Sequence, residues 1–230
     1  GRLIEEDPPW DYPELVRKEM ADVESLLDLG TGGGELLASL APLPPDTHAT
    51  ESYPPNQAIA EARLSPLGVT LHATEENEKD AYAFTDERFD MVINRHESYI
   101  AKEIYRILQP GGIFITQQVG GLNNLELNQV LEKKISFPFT DCSLANYITA
   151  LYEAGFLIER AEKAALPSVF KDIAAIVYYL KAIPWQVPGF SLETHAEGLI
   201  QLHNIIERQG QFAATAHRFL IVARKKENAS

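Results

Sequence analysis

Asp28 closes an apolar run, Leu26-Leu27-Asp28-Leu29, and glycines follow at positions 30, 32, 33 and 34. Glycine takes dihedrals closed to other residues and lets the backbone come close to a ligand. The spacing predicts a strand over 26–29, a glycine turn over 30–34 and a helix from Glu35. A helix start offers unpaired amide donors and a positive dipole end. Asp28 points a carboxylate into the same crevice, which suits a ligand carrying both an anionic and a cationic group. A second acid, Glu51, follows about twenty residues after Gly30, near the spacing at which a carboxylate meets ribose hydroxyls. One carboxylate can accept from both hydroxyls at once. A third polar set, Asn94-Arg95-His96-Glu97-Ser98, ends the apolar run Phe89 to Ile93. His96 can take a proton, because imidazole titrates near neutrality. Glu97 can orient it or bind a cation, and Arg95 can clamp a carboxylate or phosphate. His96 can equally be a helix-start residue with no chemistry.

These residues need a sheet that brings strand ends together. Pro42 to Pro45 stops the glycine helix, and His48 to Thr50 reads as a second strand. Ser52 to Asn56 opens a helix through Ala62. Val69 to Ala73 reads as a third strand, followed by the acidic stretch Thr74 to Asp80. Phe89 to Ile93 has the continuous apolar character of a buried parallel strand. Ile100 to Leu108 is helical by periodicity. Pro110-Gly111-Gly112 then turns into a strand over 113–116, with Gln117 and Gln118 at its end. Leu122 to Ser136 is helix-prone, and Leu144 to Ala154 is an amphipathic helix stopped by Gly155. Phe156 to Glu162 and Ala174 to Leu180 read as strands, the latter with a buried helix as its alternative. Phe219 to Ala223 is a final strand. Leu3 to Met20 reads as one or two amphipathic helices carrying Trp10 and Tyr12, either packing under the sheet edge or forming a lid.

The chain has 230 residues, 45% of them hydrophobic, which indicates one domain with a proper core rather than disorder. Its formal net charge is −13 and its pI near 4.9. Nucleic-acid binders usually show a basic face, and the only compact basic cluster, Arg224-Lys225-Lys226, reads as a solvated strand end. Nucleic-acid partners are therefore not expected, whereas a small neutral or cationic substrate is. No apolar run reaches membrane-spanning length, and residues 1–10 do not read as a signal peptide, so the expected compartment is the cytoplasm. Cys142 is the single cysteine and reads as a small hydrophobe. The histidines are scattered, so no metal site is expected. Nothing in the sequence sets the oligomeric state.

A dinucleotide site wants Gly-x-Gly-x-x-Gly, but counting from Gly30 puts Glu35 at the third glycine. Asp28-x-Gly30-x-Gly32-x-Gly34 instead resembles the first motif of class I S-adenosylmethionine-dependent methyltransferases. The stretch Glu51-Ser52-x-Pro54, the strand Phe89-Asp90-Met91-Val92, and Leu108-x-Pro110-Gly111-Gly112 resemble later motifs of the same family, in the same order. The resemblance covers Leu26 to Thr116. It implies a three-layer Rossmann-like α/β fold, with a seven-stranded, mostly parallel sheet and an antiparallel last strand. It also implies one domain over 1–230, with an N-terminal helical segment over 1–24 and a capping insertion over about 183–211.

The implied cofactor is S-adenosylmethionine. Asp28 would serve its methionyl ammonium, Gly30, Thr31, Gly32 and Gly34 would pass beneath it, and Glu51 and Ser52 would lie at the ribose. An acid would meet the adenine: alignment from Phe84 and Phe89 gives Glu78, and alignment from the preceding strand gives Glu75 or Glu76. Asn94 and Arg95 complete the cofactor set. His96 and Glu97 are the catalytic candidates, while Gln117 and Trp185 are candidates for the acceptor, with Phe190, His195 and His203 as further pocket walls. The implied activity is methyl transfer to a small molecule by direct displacement, with most of the catalysis coming from alignment. RNA or protein methylation, or cofactor binding without catalysis, are the alternatives. A nicotinamide oxidoreductase is disfavoured by Glu35.

Overall fold

A computed structural model describes residues 1–74, 82–132 and 139–227. Eight strands form one sheet: β1 (Leu3–Glu5), β2 (Ser25–Leu29), β3 (Asp46–Glu51), β4 (Thr70–Ala73), β5 (Phe89–Arg95), β6 (Leu108–Val119), β7 (Leu157–Phe170) and β8 (Phe212–Arg224). The order across the sheet is β1-β7-β8-β6-β5-β2-β3-β4. β4, β3, β2, β5 and β6 run parallel. β8 runs against β6: Gly111 N bonds Lys225 O near one end of the pair, and Gly120 N bonds His217 O near the other. β1 is antiparallel to β7.

The eighth strand is β1, where the sequence reading expects helix. Its register, Leu3 with Phe170 and Ile4 with Val169, joins residues far apart in sequence. Ala174 to Leu180 is not a strand but part of helix α7 (Ile173–Ala182). Asp172 caps it, its side chain accepting from Ala175 N at 2.8 Å, as an N-cap residue should. The other helices are α1 (Tyr12–Glu19), α2 (Glu35–Ser39), α3 (Pro54–Leu64), α4 (Ala101–Ile107), α5 (Leu125–Leu131), α6 (Leu144–Ala154) and α8 (Ala196–Gln209).

The chain divides into two compact units, each assembled from three segments. One comprises 10–118, 144–162 and 219–230. Its core packs Leu27, Leu29, Phe89, Val92 and Phe114 of the strands against Ile104, Ile107, Leu151 and Phe156. The other comprises 1–9, 119–143 and 163–218, and its core gathers Leu127, Phe170, Ile176, Leu180, Leu202 and Phe212. Lys225, expected as part of a solvated strand end, is only 7% exposed. Its Nζ donates to Leu108 O at 2.7 Å and lies over the Tyr105 ring, where burial is tolerated because the charge is bonded. Among the described residues, no helix is long and apolar enough to cross a membrane, and no cluster of three or more metal-ligating side chains occurs.

Candidate active site

Strand order reverses at β2: β3 and β4 lie on one side, β5 and β6 on the other. Ligands in open α/β sheets bind outside the carboxyl ends of the strands at such a switch point. Here those ends carry Asp28 and Leu29, in register with Ile93 and Asn94. The site lies entirely in the unit that begins at Trp10.

The glycine turn leaves β2 with Gly30, Gly32 and Gly34 at φ +76°, +62° and +78°, a region that L side chains rarely occupy. It is pinned to β3, because Thr31 N donates to Thr50 O at 2.9 Å and Gly30 N to Thr50 Oγ1 at 3.1 Å. The glycines have different surroundings. A Cβ on Gly34 would lie 2.8 Å from Leu64 Cγ, so this glycine lets α2 close against α3. A Cβ on Gly32 would meet nothing within 4 Å, so its face is open. A Cβ on Gly30 would meet the Cβ and Cγ of Glu97 at 2.5 Å. Helix α2 has only five residues, so its dipole contributes less than the sequence reading expects.

Asp28 lies beneath this turn, 3% exposed. Burial, helped by the Glu51 charge, pushes its carboxyl up to about 6. The Thr31 hydroxyl is close enough to temper that rise, yet Oγ1 is buried without a hydrogen bond of normal geometry. Glu51 is also buried, at 6%. One of its oxygens accepts from Tyr53 N at 2.7 Å, holding the turn into α3. Ser52 follows, half-buried, its carbonyl accepting from Gln57 Nε2 at 3.4 Å. Glu78, like Glu75 and Glu76, lies outside the described residues.

Asn94 is fully buried, and both polar atoms of its side chain are hydrogen-bonded. Its amide donates to Leu29 O at 3.0 Å, and its Oδ1 accepts from Thr116 Oγ1 and Gln118 Nε2. It clamps β2, β5 and β6 at the switch point. Arg95 and His96 are exposed. His96 sits at φ +64°, a conformation that costs a non-glycine residue on the order of 1–3 kcal/mol. It is held there by a bond from its backbone N to Gln117 O at 2.9 Å. Gln118 Nε2 bonds Glu97 O at 2.9 Å, and Ser98 N and Oγ bond Glu97 Oε1 at 3.1 and 3.2 Å. Glu97, expected beside the acceptor, thus has its stem against the first glycine of the turn.

Two anchors are absent from the sequence reading's site list. The Trp10 indole donates to Gln117 Oε1 at 2.7 Å, and Tyr12 OH donates to Asn94 O at 3.1 Å. Both residues are buried. Burial and the nearby Asp28 charge push the Tyr12 phenol up, so it stays a donor. Their only sequence signal is two aromatics beside prolines. Trp185 belongs to the other unit and is 56% exposed. The rings of Phe190 and His195 lie tilted against each other there, with centroids 5.3 Å apart, while His203 is exposed.

Residues 27–116 match the family model described as a methyltransferase domain. This stretch reads as a methyltransferase domain, which implies S-adenosylmethionine as the cofactor. No curated protein matches the sequence. Among solved structures, a putative methyltransferase from Bacillus halodurans is 18% identical, covering 94% of this chain and 99% of its own, with a TM-score of 0.67. The [4+2]-cyclase SpnF is 17% identical over 94% of this chain and 81% of its own, with a TM-score of 0.58. A geranyl diphosphate methyltransferase in complex with geranyl diphosphate and sinefungin is 16% identical over 93% and 77%, with a TM-score of 0.56. At these identities the likeness is one of fold.

The methyltransferase domain has the features that such a cofactor requires. A buried carboxylate is ready for a cation, a glycine face stands open, and the buried hydroxyl of Thr31 is unpartnered.

Proposed function

We propose that this chain transfers a methyl group from S-adenosylmethionine to a small-molecule acceptor. The observation that carries the reading is Asp28, buried beneath the open face of Gly32 and pushed up to about 6. A carboxylate kept in so unfavourable a place gains most from a cationic partner. In this reading Asp28 faces the methionyl ammonium and Thr31 Oγ1 takes up a polar atom of the ligand. The backbone of Gly30 to Gly34 forms the floor, and Glu51 turns its second oxygen to the ribose. The bound cofactor supplies an electrophilic methyl carbon on a positively charged sulfur. The residues at the ends of β5 and β6 hold the acceptor in line with it, and alignment provides most of the acceleration. The net charge of −13 supports a small acceptor over RNA.

Calorimetry with S-adenosylmethionine, its demethylated product, sinefungin and NAD tests the cofactor assignment. Binding of the three sulfur-type or analogue ligands without NAD is expected, and NAD binding alone overturns the reading. A metabolite panel with methyl-labelled cofactor, run beside RNA and peptide pools, tests the acceptor. Label in the macromolecular pools alone overturns the small-molecule assignment. Binding without transfer to any pool would mark a cofactor sensor, or a reaction other than methylation such as the cyclase named above.

A further inference from the structure

Strand β7 (Leu157–Phe170) has β8 on one side and β1 on the other, but β1 pairs only with its last residues, Ser168 to Phe170. Among the described residues, the edge from Leu157 to Leu166 is open on that side. Its backbone direction can be read from the covered end. Pro167 O accepts from Glu6 N at 3.4 Å, and Lys171 N donates to Arg2 O at 2.8 Å. The odd-numbered residues of β7 therefore turn their N–H and C=O groups to the edge. Exposed and half-buried side chains alternate without a break from Leu157 to Pro167, so no bulge shifts that phase. Pro167 falls at an odd position, and its missing N–H costs the ladder with β8 nothing. An open row of donors and acceptors is a template for another strand.

The side chains along the edge select that strand. They read Glu159-Arg160-Ala161-Glu162-Lys163, with the signs reversed about Ala161. In an antiparallel pair made by a two-fold axis, a residue and the one it faces lie at equal distances on either side of the axis. Both must also turn their backbone groups to the edge, or both away from it. An axis at Ala161 sets Glu159 against Lys163 and Arg160 against Glu162, each twice. An axis at Glu159, Arg160, Glu162 or Lys163 sets that charge against its own copy. The axis at Ala161 also covers Leu157, which is 50% exposed, with Ala165 of the second copy, so pairing ends before Pro167. We propose that the open edge of β7 docks a second copy of this chain, as an antiparallel strand about an axis at Ala161. Opposite charges directly across such a pair stabilise it and like charges oppose it. Within one chain Arg160 pairs with Glu162, and the axis gives each a second partner of opposite sign.

Sedimentation velocity of the full chain from about 1 μM to about 1 mM should show a monomer–dimer equilibrium. Arg160→Glu makes both members of the central pair acidic, and Glu162→Arg makes both basic. In either variant alone the half-dimerisation concentration should rise by at least about tenfold. Mixed in equal amounts, the two variants should form a heterodimer about as readily as the wild type. Mixing cannot repair a defect inside one chain, so rescue locates the contact across the axis. Lys163→Glu sets two acids across the axis, should weaken the dimer by itself, and serves if either of the other variants does not fold. A wild type that stays monomeric to the top of the range overturns the proposal, because the charges then only blunt the edge. So does a dimer that the folded variants leave unchanged, or one that mixing does not restore.

Discussion

Both units bury polar side chains, one around the glycine turn and one around Tyr179, and the two sets are satisfied to different degrees. In the second unit the Tyr179 hydroxyl accepts from Asn123 and Asn124 and donates to Gln186 Oε1. Gln186 Nε2 donates to Asn123 O and Asn128 Oδ1, and Asn128 Nδ2 donates to Gln186 O and Glu132. Among the described side chains there, only Asn124 Oδ1 is buried without a partner. The network closes on itself, as buried polar groups do when they serve architecture. At the glycine turn, Asp28 is buried at the cost of a raised carboxyl, Thr31 Oγ1 lacks a partner and His96 is held in a strained turn. The Tyr179 network, closed but for one oxygen, builds the fold, and the open groups at the glycine turn fit the ligand site proposed above.

The sharpest way to break this contrast is Gly32→Val. Its Cβ meets no protein atom within 4 Å, so the folded state should lose about 1–2 kcal/mol to its positive φ. The side chain fills the open face, so cofactor affinity should fall by more than about a hundredfold, or some 2.7 kcal/mol. Calorimetry beside thermal unfolding checks both. An unstable variant that still binds would mean the open face is not where the cofactor lies.

Asp28→Asn should move stability the other way. A carboxyl raised from 3.8 to about 6 in the fold binds its proton more tightly when folded than when unfolded. Stability therefore falls as pH rises from about 4 to 6 and is flat above. Removing the charge should restore up to about 3 kcal/mol at pH 7 and abolish that slope, while weakening cofactor binding roughly tenfold or more. Denaturant midpoints of both proteins at pH 4.5 and 7 measure it. A difference between Asp28→Asn and the wild type that does not grow from pH 4.5 to 7 would contradict the burial argument for Asp28.

Tyr179→Phe should have the smallest effect, on stability alone. It strips a hydrogen-bond node from the closed network and should cost about 1–3 kcal/mol, leaving cofactor affinity unchanged. A comparable loss of cofactor affinity would show that the second network also belongs to the site.

The strand, glycine turn and helix that build the candidate site were legible because their residues are local. Asp28, Gly30, Gly32 and Gly34 fall within seven consecutive positions, and the Pro110-Gly111-Gly112 turn and the run Phe89 to Ile93 carry their structure in their own composition. Leu144–Ala154 likewise forms the helix its periodicity indicates. What escaped depends on partners distant in sequence. Leu3–Glu5 is a strand only because Phe170 and its neighbours pair with it. Ile173–Ala182 has the β-branched composition of a strand and becomes helix under an Asp172 cap and tertiary packing. Asn94, read as a ligand contact, also ties three strands together, which no local pattern announces. No local pattern reveals that Trp10 reaches Gln117.

The place of β8 sets an order of events for a ribosome. It lies between β6 and β7 and is made after every other described strand. Until Phe219 to Arg224 leave the exit tunnel, most of β6 has an unpaired edge facing where its neighbour will stand, and the unit that begins at Trp10 lacks the last of its three segments. An unpaired apolar edge is a template for pairing with another chain. Nascent chains stalled before Phe219 should therefore require a chaperone to stay monomeric, and a fusion that delays release of the last strand should aggregate although every cofactor residue has already been synthesised.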